Sequence, residues 1–233
     1  METIPLARLA LLVLPIGAVF YLQYRFGLGN RRTAWGVARM LTQLLVIGYF
    51  LAYLFEATSV WPILLVLGVM VLASSWIALG SVPAHRKGLY GKALLAVSVG
   101  GSLNLALVIF GVLDLDPWYL PSKVIPLAGM IFAASMNCVS LAAERYFSER
   151  TRGMSAHDAR GVAYNAALIP IINSLFAVGL VSIPGMMTGQ ILSGVSPLIA
   201  SRYQILVMGM LLGANGISAA LFLGLLVRAE RRG

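Results

Sequence analysis

The chain reads as a series of long apolar stretches separated by short polar breaks. A helix needs about 20 consecutive apolar residues to cross the hydrocarbon core of a bilayer. Seven stretches reach that length: 6–26, 34–55, 61–81, 91–113, 124–143, 162–182 and 203–227. None alternates apolar and polar positions as the strand of an outer-membrane barrel would. In lipid every backbone polar group must find its partner within the protein, so helices are the expected elements. The pattern therefore predicts an all-α polytopic membrane protein of about seven transmembrane helices. One segment, 183–197, fits neither a span nor a wet loop. Pro184, Gly185, Gly189, Gly194 and Pro197 break it, while Met186, Met187, Ile191 and Leu192 keep it apolar. It is expected to be a broken or re-entrant element, because irregular backbone at membrane depth is tolerated where it is buried in protein or lines a cavity. Pro170 lacks the N–H that the Ala166 carbonyl would accept, so a kink is expected in the sixth span.

Composition supports the membrane assignment. Hydrophobic residues make up 60% of the 233 and charged residues 11%, against roughly 25% charged in soluble domains. The net charge of +9 does not point to nucleic acid, because the basic residues fall in short clusters between apolar runs. One set of breaks carries Arg25, Arg31, Arg32, Arg86, Lys87, Lys92, Arg145, Arg150, Arg152, Arg160, Arg228, Arg231 and Arg232. The opposite set carries Arg8, Lys123 and Arg202. The positive-inside rule then puts the N-terminus outside and the C-terminus inside, with Trp61 and Trp118 at outer boundaries and Trp35 at an inner one. Arg39, one turn inside its span, can extend its guanidinium to the interface. At the N-terminus the charge cluster follows the apolar stretch instead of leading it, which predicts a retained helix. No soluble domain is apparent, so residues 1–233 are read as one membrane domain, with 144–161 as its longest hydrophilic loop.

Candidate chemistry is sparse. The string nearest to a phosphate-binding loop, GLYGKA at 88–93, has Arg86 where the first glycine belongs and Ala93 where the hydroxyl belongs. ATP hydrolysis is therefore not expected of this chain, which is read as no enzyme and as binding no cofactor itself. His85 and His157 lack metal-ligand spacing, and a lone Cys138 cannot build a thiolate site. Met130, Met136, Met186, Met187, Met208 and Met210 invite a soft-metal reading, but methionine is also a flexible filler of apolar cores, and filler is the preferred reading. The span amides Gln43, Asn104, Asn137, Asn173 and Asn215 either pin helix packing or line a polar pathway. In the 144–161 loop Gly153 is expected to end one helix, and Ser155 to cap a short cytoplasmic one beginning at Ala156.

RMLTQLLVIGYFLAYLF (39–55), VIPLAGMIFAASMN (124–137), ALIPIINSLFAVGLVSIPGMMTGQILSGVSP (167–197) and RYQILVMGMLL (202–212) resemble the permease subunits of the Fet-type iron-export ABC transporters, a bacterial family with plant relatives linked to aluminium tolerance. The resemblance runs in order from about residue 9 to 225. It implies a permease in the bacterial cytoplasmic membrane, with metal, specifically iron, as exported cargo. It also implies a separate ABC ATPase subunit that binds ATP and magnesium, and a second copy of the permease. Pro170, Asn173, Gly179, Pro184, Gly185, Met186, Met187, Thr188 and Gly189 match the family's most specific segment, and Tyr203 and Gln204 the start of its last helix. Gln43, Asn137, Asn173, Pro184, Gly185, Met186, Met187, Thr188, Gly189, Gln190 and Gln204 are thus the candidates for the pathway or its outer gate. Gly153 and Ser155 match the coupling loop, where Glu149, Arg152 and Asp158 join them as candidate contacts to the ATPase. Between Gly153 and Pro170 the chain is about four residues, one helical turn, shorter than the family pattern. The rival readings are a stand-alone secondary transporter, disfavoured because the spans hold no central Asp or Glu, and a membrane scaffold or sensor.

Overall fold

In the computed structural model, residues 5–55 and 59–230 are described, and among them every regular element is a helix. Six helical stretches are long and apolar enough to cross a membrane: Ala7–Arg25, Arg31–Leu51, Val60–Ser81, Pro83–Val112, Pro121–Thr151 and Pro197–Glu230. The loop at 56–58 and the basic residues Arg231 and Arg232 lie outside the described residues. The chain divides into two compact units, Met1–Glu56 and Ala57–Gly233.

The first unit is a helical hairpin. α1 (Leu6–Leu9) passes through one 3₁₀ turn into α2 (Val13–Arg25), and α3 (Arg31–Phe55) returns. Gly27 makes the reversal at φ +68°, and its neighbours cap α2: the Gly27 N–H donates to the Tyr24 carbonyl and the Leu28 N–H to the Gln23 carbonyl. That bond pair is the standard glycine stop of a helix. Gln23 Nε2 donates to Thr33 Oγ1 at 2.9 Å and Asn30 Nδ2 to the Phe20 carbonyl at 3.0 Å, fixing the hairpin.

The second unit is built on α9 (Pro197–Glu230), which packs against α5 (Arg86–Ala106), α6 (Pro121–Thr151), α7 (Ala156–Ala177) and the short α8 (Gly185–Leu192); α4 (Val60–Ala78) packs on α5 and α6. Buried positions on α9 run Ala200, Gln204, Val207, Ala214, Ser218, Phe222 and Leu226. Those on α6 run Val124, Ala128, Ile131, Ser135, Val139, Ala142, Tyr146 and Glu149. Both are the three-to-four spacing of one helix face. Small residues let the axes close up, as between helices in lipid. A Cβ on Gly100 of α5 would sit 2.8 Å from the backbone nitrogen of Ser218. Ser218 donates to Ser135 Oγ at 3.1 Å, and Ser135 to the Ala214 carbonyl at 3.4 Å, tying α6 to α9.

Several expectations are corrected. Six of the seven expected spans have a counterpart among the stretches long and apolar enough to cross a membrane; the sixth, placed at 162–182, falls on the helix α7, Ala156–Ala177, which is not one of them. It stops because Gly179 turns at φ +82° and Val178 pairs with Ser182. Ser155 does cap a helix, but the short cytoplasmic helix expected at Ala156 is not a separate element: nothing after Ser155 breaks the chain, so it runs straight into α7. At Pro170, where a kink was expected, α7 stays helical. The last helix begins at Pro197, six residues before the expected span, and α6 extends to Thr151, eight beyond its own. The segment 183–197 resolves into α8 between two turns. Pro184 sits just before the first helical residue, and Gly194, at φ +90°, makes the stop with Gly194 N–H to Ile191 and Val195 N–H to Gln190.

Candidate functional site

The coupling candidates meet in one tight turn, Arg152–Ser155, between α6 and α7. Gly153 takes φ +90° there. Its N–H donates to the Arg150 carbonyl and that of Met154 to the Glu149 carbonyl, each at 3.1 Å, closing the end of α6. Across the turn Ser155 Oγ accepts the Asp158 N–H at 3.2 Å and donates to Asp158 Oδ2 at 2.6 Å, a reciprocal cap. The Ser155 hydroxyl, followed by His157, holds the exposed Asp158 carboxyl below its ordinary range.

Glu149 extends the buried stripe of α6 to its C-terminal end and is only 4% exposed. Arg145 at 2.7 Å and Arg152 at 3.2 Å neutralise it. A second knot joins the turn to the end of α9. Arg150 donates to the Met154 carbonyl at 2.7 Å and pairs with Glu230 at 3.0 Å, while Tyr146 donates its hydroxyl to Glu230 at 2.8 Å. Every charged residue proposed for coupling is thus either clamped in the turn or presented on it. Arg150, Tyr146 and Glu230 were not among the sequence candidates. The signal for Arg150 and Glu230 was only a charge at the end of each helix, and nothing along the sequence marked Tyr146.

At the other end of the same helices, α6, α7, α8 and α9 leave connected hollows. One of about 340 Å³ is lined by Met130, Ile171, Ser174, Ser182, Pro184, Gly185, Met186, Gln204 and Met208. A second of about 470 Å³ shares Gln204 and Met208 with it and adds Met187 and Gly179. A third of about 170 Å³ lies toward the turn; it shares Ile171 and Ser174 with the first and is lined by Asn137, Cys138, Pro170 and Asn215. Gln204 and Asn215 line these spaces, and their amide oxygens, Oε1 and Oδ1, are buried without a hydrogen-bond partner in the protein. Leaving such an acceptor unmet costs on the order of 1–3 kcal/mol, so each is a place where a ligand or water is worth more than an apolar neighbour.

Of the pathway candidates, Pro184, Gly185, Met186, Met187 and Gln204 converge here and Asn137 lines the deeper hollow. The others do not join them. Asn173 is exposed and lines none of these hollows. Thr188 directs its hydroxyl to the Ile183 and Pro184 carbonyls. Gly189 and Gln190 sit on α8 outside the hollows, and the Gln190 amide oxygen is buried without a partner. Gln43 is exposed on α3 of the first unit. Ser174 was missed, and Asn215, weighed along the sequence only as one of five span amides, was not carried to the gate candidates although it lies 11 positions after Gln204, three helical turns along the same face. No group of three or more His, Cys, Asp or Glu that could hold a metal occurs among the described residues.

Comparison with known proteins agrees with this architecture. The family model described as "Uncharacterised protein family (UPF0014)" matches residues 5–156 and 150–230. The two matches overlap over residues 150–156, around the Arg152–Ser155 turn, where the stretch expected to be shorter than the family pattern begins. The chain is 37% identical over 199 residues to the UPF0014 membrane protein slr1647 of Synechocystis, covering 79% of this chain and 77% of that protein. It is 33% identical over 200 residues to the "Probable iron export permease protein FetB" of Escherichia coli, covering 79% and 75%. It is 30% identical over 201 residues to the protein ALUMINUM SENSITIVE 3 of Arabidopsis thaliana, covering 79% and 72%. No solved structure matches. The chain is a polytopic membrane protein and belongs to the UPF0014 family.

Proposed function

We propose that the chain is the membrane permease of an ATP-binding-cassette transporter that exports a metal ion, with iron the cargo indicated by the name of its Escherichia coli relative. It works in the bacterial cytoplasmic membrane, N-terminus outside, paired with a second copy and with ATPase subunits that supply ATP hydrolysis. One observation carries this reading. Three helices, α6, α7 and α9, all end at the Arg152–Ser155 turn or its Glu230 clamp, and all three line the hollows near their other ends. From Glu230 to Gln204 along α9 is about 40 Å at 1.5 Å per residue. A push on the turn therefore reaches the hollow through rigid helices, a geometry suited to alternating access driven by a partner. The segment 183–197 then forms the outer gate, since α8 walls two of the hollows.

Co-expression with an ABC ATPase of the same operon tests the proposal. The expected result is a stable complex with vanadate-sensitive ATP hydrolysis, lost when residues 152–155 are replaced by a flexible Gly/Ser turn. Separate elution of the two proteins, or a complex indifferent to that replacement, would overturn it.

A further inference from the structure

The hollow of about 340 Å³ brings together donor atoms that sequence alone could not assemble. Met130 comes from α6, Met186 from α8 and Met208 from α9, three different helices around one space. Gln204 adds an amide oxygen that is buried and unpartnered. Ser174, whose hydroxyl proton is engaged by the Pro170 carbonyl, and Ser182 add oxygen lone pairs. No carboxylate and no cationic side chain lines the space.

A methionine that merely fills a core packs its thioether against neighbours. Met210, 4% exposed and lining none of these hollows, does so. Met130 and Met186 also pack against the core, but with Met208 they border unfilled volume that is lined as well by Gln204, whose buried amide oxygen has no protein partner. Neutral thioether donors select soft ions, whereas harder divalent ions favour carboxylate, imidazole and water. Charge points the same way. The cost of bringing an ion out of water rises with the square of its charge, so a monovalent ion meets about a quarter of the penalty of a divalent one in a site with no counter-charge.

We infer that Met130, Met186 and Met208, completed by the Gln204 amide oxygen, form a binding site for a soft monovalent metal ion of the copper(I) or silver(I) type. The inference rests on the permease reading for the site's place on a transport path and departs from it on cargo, putting a soft monovalent ion where the relative's name indicates iron; binding itself requires no ATPase.

The test uses the full chain purified in detergent, in chloride-free buffer, with silver(I) as a redox-inert probe and Cys138→Ala as background to remove the one thiol. Calorimetric titration is expected to show one saturable silver ion per chain. Affinity should fall at least 100-fold in Met130→Leu/Met186→Leu/Met208→Leu and several-fold in Gln204→Leu. Met136→Leu/Met210→Leu should leave it unchanged. Leucine nearly conserves the methionine volume, and an unaltered thermal transition of the apo protein shows that the variants are folded. Anaerobic iron(II) at the same concentrations is expected to give no saturable binding that depends on these methionines. Absence of silver binding in the Cys138→Ala background, retention of it in the triple leucine variant, or tighter iron(II) than silver(I) binding lost in that variant would each overturn the inference. Failure of the chain to associate with an ATPase would leave the silver titration unaffected, so the two readings fail separately.

Discussion

Glu149 shows how a single residue can be both buried and charged in a lipid-spanning protein. Its carboxylate is held by Arg145 and Arg152, whose side chains are 39% and 65% exposed. Breaking a fully buried pair costs about 3–5 kcal/mol. Here both arginines can turn to water, so Glu149→Gln is expected to cost only about 1–2 kcal/mol, read as a lowered thermal transition in detergent. Asp158 gives a pH-dependent counterpart. Its pKa in the fold lies below its unfolded value because the Ser155 hydroxyl and His157 stabilise the carboxylate. The contribution is therefore fully present above the ordinary carboxylate range and is lost as pH falls through the depressed native value. Amide protection at 156–159 should decline in that acidic window, and Ser155→Ala should show low protection on both sides of it. Protection that is flat with pH in the unaltered chain would refute the linkage.

At the scale of elements, two glycines carry strict geometric demands. Gly153 holds φ +90° at the stop of α6. Alanine there is strained by about 1–2 kcal/mol, so Gly153→Ala should loosen the turn and uncouple the proposed ATPase without emptying the membrane of folded protein. Gly100 faces Ser218 so closely that an added Cβ meets its backbone nitrogen, at 2.8 Å, as well as its side-chain oxygen. Gly100→Ala should cost about 1–3 kcal/mol, seen as a lower thermal transition; an unchanged one would mean α5 and α9 are not in this contact. The cap Ser155, the stop at Gly153 and most spans were legible in sequence, because each rests on local backbone chemistry or on apolar length. The unbroken run of α7 was not. Its polar start, with His157, Asp158 and Arg160, reads as cytoplasmic whether or not the helix continues into the span. Nor could Pro170 alone say whether its helix would break, since tertiary packing around Ile171 and Ala167 decides that.

For the whole molecule, α6 and α9 are apolar on more than one face, so periodicity says neither which face packs inward nor against whom, and their buried stripes emerge only in the fold. That is why Met130, Met186 and Met208 read as filler along the chain and converge only in three dimensions. The same holds for the Tyr146–Glu230 contact, which joins residues 84 positions apart. The central claim is that the Arg152–Ser155 turn is where an ATPase grips and that its push travels along α6, α7 and α9 toward the hollow. The most direct measurement places a photo-crosslinking amino acid at Asp158, exposed beside the turn, or at Lys123, exposed at the far end of α6. Each variant is then illuminated with the co-expressed ATPase present. The account predicts an adduct from position 158 and none from position 123. An adduct from position 123, or none from position 158 in a complex that co-purifies, would contradict it.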